Sequence, residues 1–141
     1  MPSPILSPLI VLVLWTLVMC VWLYVTRIPA IKKHGIVYDP GRPAEEFHAQ
    51  LPTHVRWKAD NYNNLLEQPT IFYAVALTLV FLNAGSGVNT GLAWAYVALR
   101  IAHSLVQALI NKVMIRFALF AAASLVLLVM TVRAAWLIFL A

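Results

Sequence analysis

The sequence predicts an all-α integral membrane protein, a bundle of four transmembrane helices. Three observations carry that prediction. Hydrophobic residues fill 62% of the 141 positions. Charged residues fill 11%, where a soluble domain carries about a quarter. The apolar residues also fall into four runs, each able to cross a hydrocarbon core of about 30 Å at about 1.5 Å per helical residue. A chain of this length has room for one domain, covering residues 1–141. The net charge of +5 sits beside the apolar runs, where it signals topology and not nucleic-acid binding.

The first span covers residues 5–26, ILSPLIVLVLWTLVMCVWLYVT. No basic segment precedes it and no small-residue cleavage site follows, which argues against a signal peptide. Cys20, the single cysteine, reads as a small core residue and leaves no disulfide within the chain. Trp22 and Tyr24 suit the interfacial belt. Residues 27–58 form a polar loop with six basic residues, four prolines and short helical turns, bent at Pro40, Gly41 and Pro43. The second span covers residues 65–83, and its helix starts before the membrane, near Val55. Pro69 inside it frees a backbone carbonyl and kinks the helix. NAGSGVNTG, residues 83–91, is an uncharged turn. The third span covers residues 92–110 and the fourth 118–140, joined by residues 111–117.

Lysine and arginine set the orientation. The first loop holds six and the second linker two, Lys112 and Arg116, while the N-terminus, the 83–91 turn and the extreme C-terminus hold none. Both termini are therefore expected outside, with residues 27–58 and 111–117 in the cytoplasm. Arg133 dissents and reads as a side chain snorkelling to the outer interface.

Ionisable residues inside a membrane are costly and avoid lipid. Arg100, His103, Gln107 and Asn111 lie at i, i+3, i+7 and i+11, one stripe of the third helix. Asp60, Asn64 and Glu67 lie at i, i+4 and i+7 on the second, with Asn63 at the flank. Glu67 is the only acid within a span, so a Glu67–Arg100 ion pair is the expected partnership. Polar groups of this kind also glue helices together. A stripe this long, opening toward the basic loops, suits a cavity for a polar anionic ligand. Arg116 is either a topology anchor or a cation at the cavity mouth, where it would favour a thiolate. Arg27, ending the first span, carries the same two readings. His34, His48 and His54 have no metal-ligand spacing and read as solvated.

Four spans, a basic first loop, DNYNNLLEQP (residues 60–69) and LRIAHSLVQALINKVMIRF (residues 99–117) together resemble the MAPEG family, membrane-associated proteins in eicosanoid and glutathione metabolism. The resemblance covers nearly the whole chain. It implies a homotrimer of four-helix subunits, with glutathione bound as co-substrate between neighbours and open to the cytoplasm. Carried over by motif, Asn64 and Glu67 would bind glutathione, Glu67 reading its amino group. His103 falls at a ligand position, Arg100 matches a buried arginine and Arg116 resembles the arginine that stabilises the thiolate. Arg27 looks like the basic residue ending the first helix. The remaining ligand candidates are Asn63 and Gln107. Two departures stand out: Asp60 replaces an arginine that many members carry, and Gln107 replaces a tyrosine.

The resemblance thus implies a glutathione-dependent transferase or peroxidase acting on lipophilic electrophiles that arrive through membrane lipid. A non-catalytic trimeric binding or accessory protein stays open as the alternative. A small multidrug transporter is a remote one, because such proteins carry a carboxylate in the first span and have short loops.

Overall fold

A computed structural model describes residues 1–141. It contains six α-helices and no strand. Four helical stretches are long and apolar enough to cross a membrane: Leu6–His34, Thr53–Phe81, Val88–Leu109 and Val113–Phe139.

The first helix, α1 (Leu6–His34), outlasts its apolar run by two turns. Lys32, Lys33 and His34 sit in its last turn, where cations face the negative end of the helix dipole. Gly35 stops it at φ +59°, a left-handed conformation that a side chain resists, and the Ile36 N–H reaches back to the Ile31 carbonyl. The following segment folds back as a small cap. Its helix α2 (Ala44–Ala49) lies beside a minor core of Ala30, Ile36, Leu51 and Val55. The expected loop thus has a packed interior of its own.

The second span is two helices, α3 (Thr53–Leu65) and α4 (Pro69–Phe81). Pro69 opens α4, where a missing N–H costs nothing, but it cannot donate to the carbonyl four residues back. The chain breaks at residues 66–68. The break also changes neighbours: α3 packs chiefly on α1 and α5, whereas α4 leans on α6 and α1. The last two helices, α5 (Val88–Leu109) and α6 (Val113–Phe139), form the most extensive pairing.

The main core runs the length of the bundle through Leu12, Met19, Phe72, Leu79, Tyr96 and Met130. Phe72 stacks on Tyr96 with centroids 4.5 Å apart, bridging α4 and α5. Trp15 Nε1 donates to Ser104 Oγ at 2.9 Å and ties α1 to α5. At the end away from the loop, the Gly85 carbonyl accepts from Ile5 N–H at 3.0 Å and Ser3 Oγ at 2.9 Å. A Cβ on Gly85 would collide with Ser3 Oγ and Ile5 Cγ2, so a larger residue would have to shift the side chains of the seated N-terminus. Leu14, Leu17 and Val21 on α1, and Leu125, Val129 and Val132 on α6, stay exposed as a face for lipid.

Candidate functional site

The polar stripe of α5 faces inward. Arg100, His103 and Gln107 are buried on the same side as Ala93, Tyr96 and Ala108. Lipid cannot solvate these groups, so the spacing drives them into the bundle.

Arg100 is fully buried, and its partner is Asn64. Its Nη2 donates to Asn64 Oδ1 at 2.6 Å and to the Asn64 carbonyl at 3.2 Å. The expected Glu67–Arg100 ion pair is absent: Glu67 is exposed and makes no salt bridge. The break before Pro69 explains its absence. In a continuous helix the Asn64 carbonyl would accept from the Gln68 N–H. Here the Glu67 N–H turns in on it at 3.3 Å, and the guanidinium takes its other lone pair. The turn after Leu65 meanwhile swings Glu67 outward. Arg100 therefore closes a helix break, and the Phe120 ring, 5.7 Å from its guanidinium carbon, covers it.

A second lock holds the other side of the break. Gln68 Nε2 donates to Ser124 Oγ on α6 at 2.8 Å, and Tyr96 Oη on α5 donates to Gln68 Oε1 at 3.1 Å. Gln68 is passed over in the sequence reading, although a polar residue at the edge of an apolar run is a signal that could have found it. Its partners Tyr96 and Ser124 carry no signal in the sequence. Asn61, passed over in favour of Asn63 and Asn64, is the fully buried asparagine of this segment.

The candidate ligand residues form two clefts instead of one stripe, because successive α3 residues point about 100° apart. Asn64, His103 and Arg116 converge on a cleft of about 300 Å³, walled by Val113, Phe117 and Phe120. Asn63 and Arg27 line a different cleft of about 300 Å³ with Glu45, His48 and Asp60. Arg27 also stacks over Phe47 at 5.4 Å, pinning the cap to α1. His48 Nε2 lies 3.2 Å from Asp60 Oδ1, so this histidine has a specific partner and is not merely solvated. Gln107 lines neither cleft.

Chemistry at the first cleft follows from its donors. A guanidinium can only donate, so the Asn64 oxygen must face Arg100 and its amide Nδ2 is the group left for the cleft. Arg116 Nη1 donates to Asn111 Oδ1 at 2.6 Å, which holds the linker where Asn111 adopts φ +54°. Its charge remains, because an amide oxygen does not neutralise it. No carboxylate lines the cleft, and Phe117 and Phe120 give it an apolar wall. The arrangement suits an anionic group joined to an apolar one.

Arg133 does more than snorkel. Its Nε donates to Asn89 Oδ1 at 2.6 Å, across α5 and α6.

Comparisons with curated proteins and with solved structures find no match. Comparison with models of protein families matches residues 5–136 with the MAPEG family. Four helices long and apolar enough to cross a membrane agree with that match: this multi-pass membrane protein belongs to the MAPEG family.

Proposed function

We propose that the protein is a glutathione-dependent transferase acting on lipophilic electrophiles. The observation that carries this reading is the convergence of Asn64, His103 and Arg116 on one cleft with an aromatic wall and no carboxylate. Asn64 Nδ2 would donate to a carboxylate or carbonyl oxygen of glutathione. Arg116 would lower the thiol pKa by its fixed charge, so that the proton leaves to solvent and the thiolate stays. The electrophile would enter from lipid past Phe117 and Phe120. Thiolate sulfur then bonds the electrophilic carbon, and the leaving group departs with the electron pair of the broken bond. In this reading Arg100 touches no substrate; it positions Asn64. Glu67, exposed beside the break, would meet the amino group.

The working unit in this proposal is a homotrimer with the loops and both clefts on the cytoplasmic side. Two separate clefts on adjacent faces of α3 favour it, since the Arg27–Asn63 cleft of one subunit can complete the Asn64–Arg116 cleft of the next. Calorimetric titration with glutathione, and conjugation of 1-chloro-2,4-dinitrobenzene with release of chloride, test the reading on protein purified in detergent. Wild type should bind and turn over, and Arg116→Ala should bind with little turnover. Wild type that does neither sinks the proposal. A non-catalytic binding protein is the second reading, favoured by the commitment of Arg116 to Asn111. Glutathione binding with no turnover of any electrophile would select it.

A further inference from the structure

The dissenting arginine lies at the end of the bundle opposite both clefts. Its guanidinium is held in place. Asn89, itself buried at 4% exposure, accepts from Arg133 Nε and anchors its own Nδ2 on the Ala84 carbonyl at 2.8 Å. That leaves Nη1 and Nη2 of an exposed side chain with no hydrogen bond to the protein. Arg133 borders a groove of about 370 Å³ on the outer face of α6, lined also by Val132, Trp136 and Leu137.

Charge and depth decide what the groove takes. All five carboxylate side chains (Asp39, Glu45, Glu46, Asp60 and Glu67) lie in the loop, α2, α3 or the helix break, so none neutralises Arg133. Its partner Asn89 is uncharged. Arg133 stands six residues before the last residue of α6, about 9 Å along the axis, and Asn89 is the second residue of α5. Both therefore sit near the boundary between hydrocarbon and headgroups, where Trp136, 60% exposed, also belongs. The anion present at that depth in every bilayer is a lipid phosphate. A guanidinium with two free NH2 groups matches two phosphate oxygens, and the apolar walls suit the start of an acyl chain.

We propose that this groove binds a membrane phospholipid, its phosphodiester held by Arg133 as oriented by Asn89. The site is separate from the glutathione reading and does not depend on it. Delipidated protein in detergent, titrated with dioctanoyl-phosphatidylglycerol and followed by native mass spectrometry, tests it. Wild type should retain the phospholipid and not dioctanoylglycerol, which lacks the phosphate. Arg133→Gln should weaken retention about tenfold, the scale of a charge-assisted pair. Asn89→Asp should weaken it too, since its carboxylate competes with the phosphate for the same cation. Thermal unfolding of each variant checks that the bundle persists, and Arg133→Lys, with its charge kept and its fork lost, should fall between wild type and Arg133→Gln. Equal retention by Arg133→Gln and wild type overturns the proposal, as does equal retention of dioctanoylglycerol. Competition by inorganic phosphate at lipid-like concentrations would make the groove a soluble-anion site. Crosslinking between copies through Trp136→Cys would make it a protein interface.

Discussion

Arg42 in the loop and the three arginines of the last two helices are partnered differently. In the loop, Arg42 lies 3.6 Å from Asp39 and 3.9 Å from Glu46, with all three side chains more than half exposed. In the last two helices, Arg100, Arg116 and Arg133 each donate to an asparagine Oδ1 at 2.6 Å, in Asn64, Asn111 and Asn89. A carboxylate cancels a cation, and water then screens what is left. An amide oxygen fixes the guanidinium and leaves its whole charge in place. The loop is thus electrically quiet at Arg42. The bundle keeps three oriented cations, two of them, Arg116 and Arg133, bordering a cavity or groove.

Exchanging asparagine for aspartate converts one kind of pairing into the other. Asn64→Asp should have the largest effect. It neutralises Arg100 and replaces the Nδ2 donor with an acceptor, so glutathione affinity should fall by about 2 kcal/mol, roughly thirtyfold. The thermal midpoint in detergent should hold or rise; unchanged affinity by calorimetry would remove Asn64 from the site. Asn111→Asp should come next. Aspartate tolerates the positive φ of the linker, and its charge on Arg116 should cut the conjugation rate about tenfold, about 1.4 kcal/mol. A rate equal to wild type would show that Arg116 does not act through its charge.

Gln68→Leu probes the neutral lock. It should cost about 1 kcal/mol of stability, read by thermal unfolding, because Tyr96 and Ser124 lose their shared partner. Glutathione affinity should barely move, and a large drop would mean that the lock and the Arg100–Asn64 pair act as one unit. Arg42→Ala should do least, less than about 0.5 kcal/mol in the same assay. A larger loss there would erase the contrast between loop and bundle.

The fold was legible because lipid is a demanding solvent. Four apolar runs, the proline at 69 and the inward placement of Arg100, His103 and Gln107 follow from cost and periodicity alone. The partner of Arg100 was not legible. Charge balance nominates Glu67, the only acid within reach in the sequence. The break after Leu65 turns that residue out and offers the Asn64 carbonyl instead. Similarly, helical spacing puts Asn64 on the stripe and Asn63 at its flank, but it does not show that they open into different clefts. Asn89 looks like part of a turn, and only the packing of α5 on α6 makes it a partner for Arg133.

Residue chemistry by itself therefore determined the number of membrane spans, the inward face of the third span and the family. Those outcomes rest on local quantities: hydropathy over a span, spacing along a helix, and the missing N–H of proline. Tertiary structure decided which groups meet. A hydrogen bond at 2.6 Å depends on the relative placement of two helices to within a few tenths of an ångström, and no local pattern encodes that. It is this placement that gave Arg100 and Arg133 an amide in place of a carboxylate.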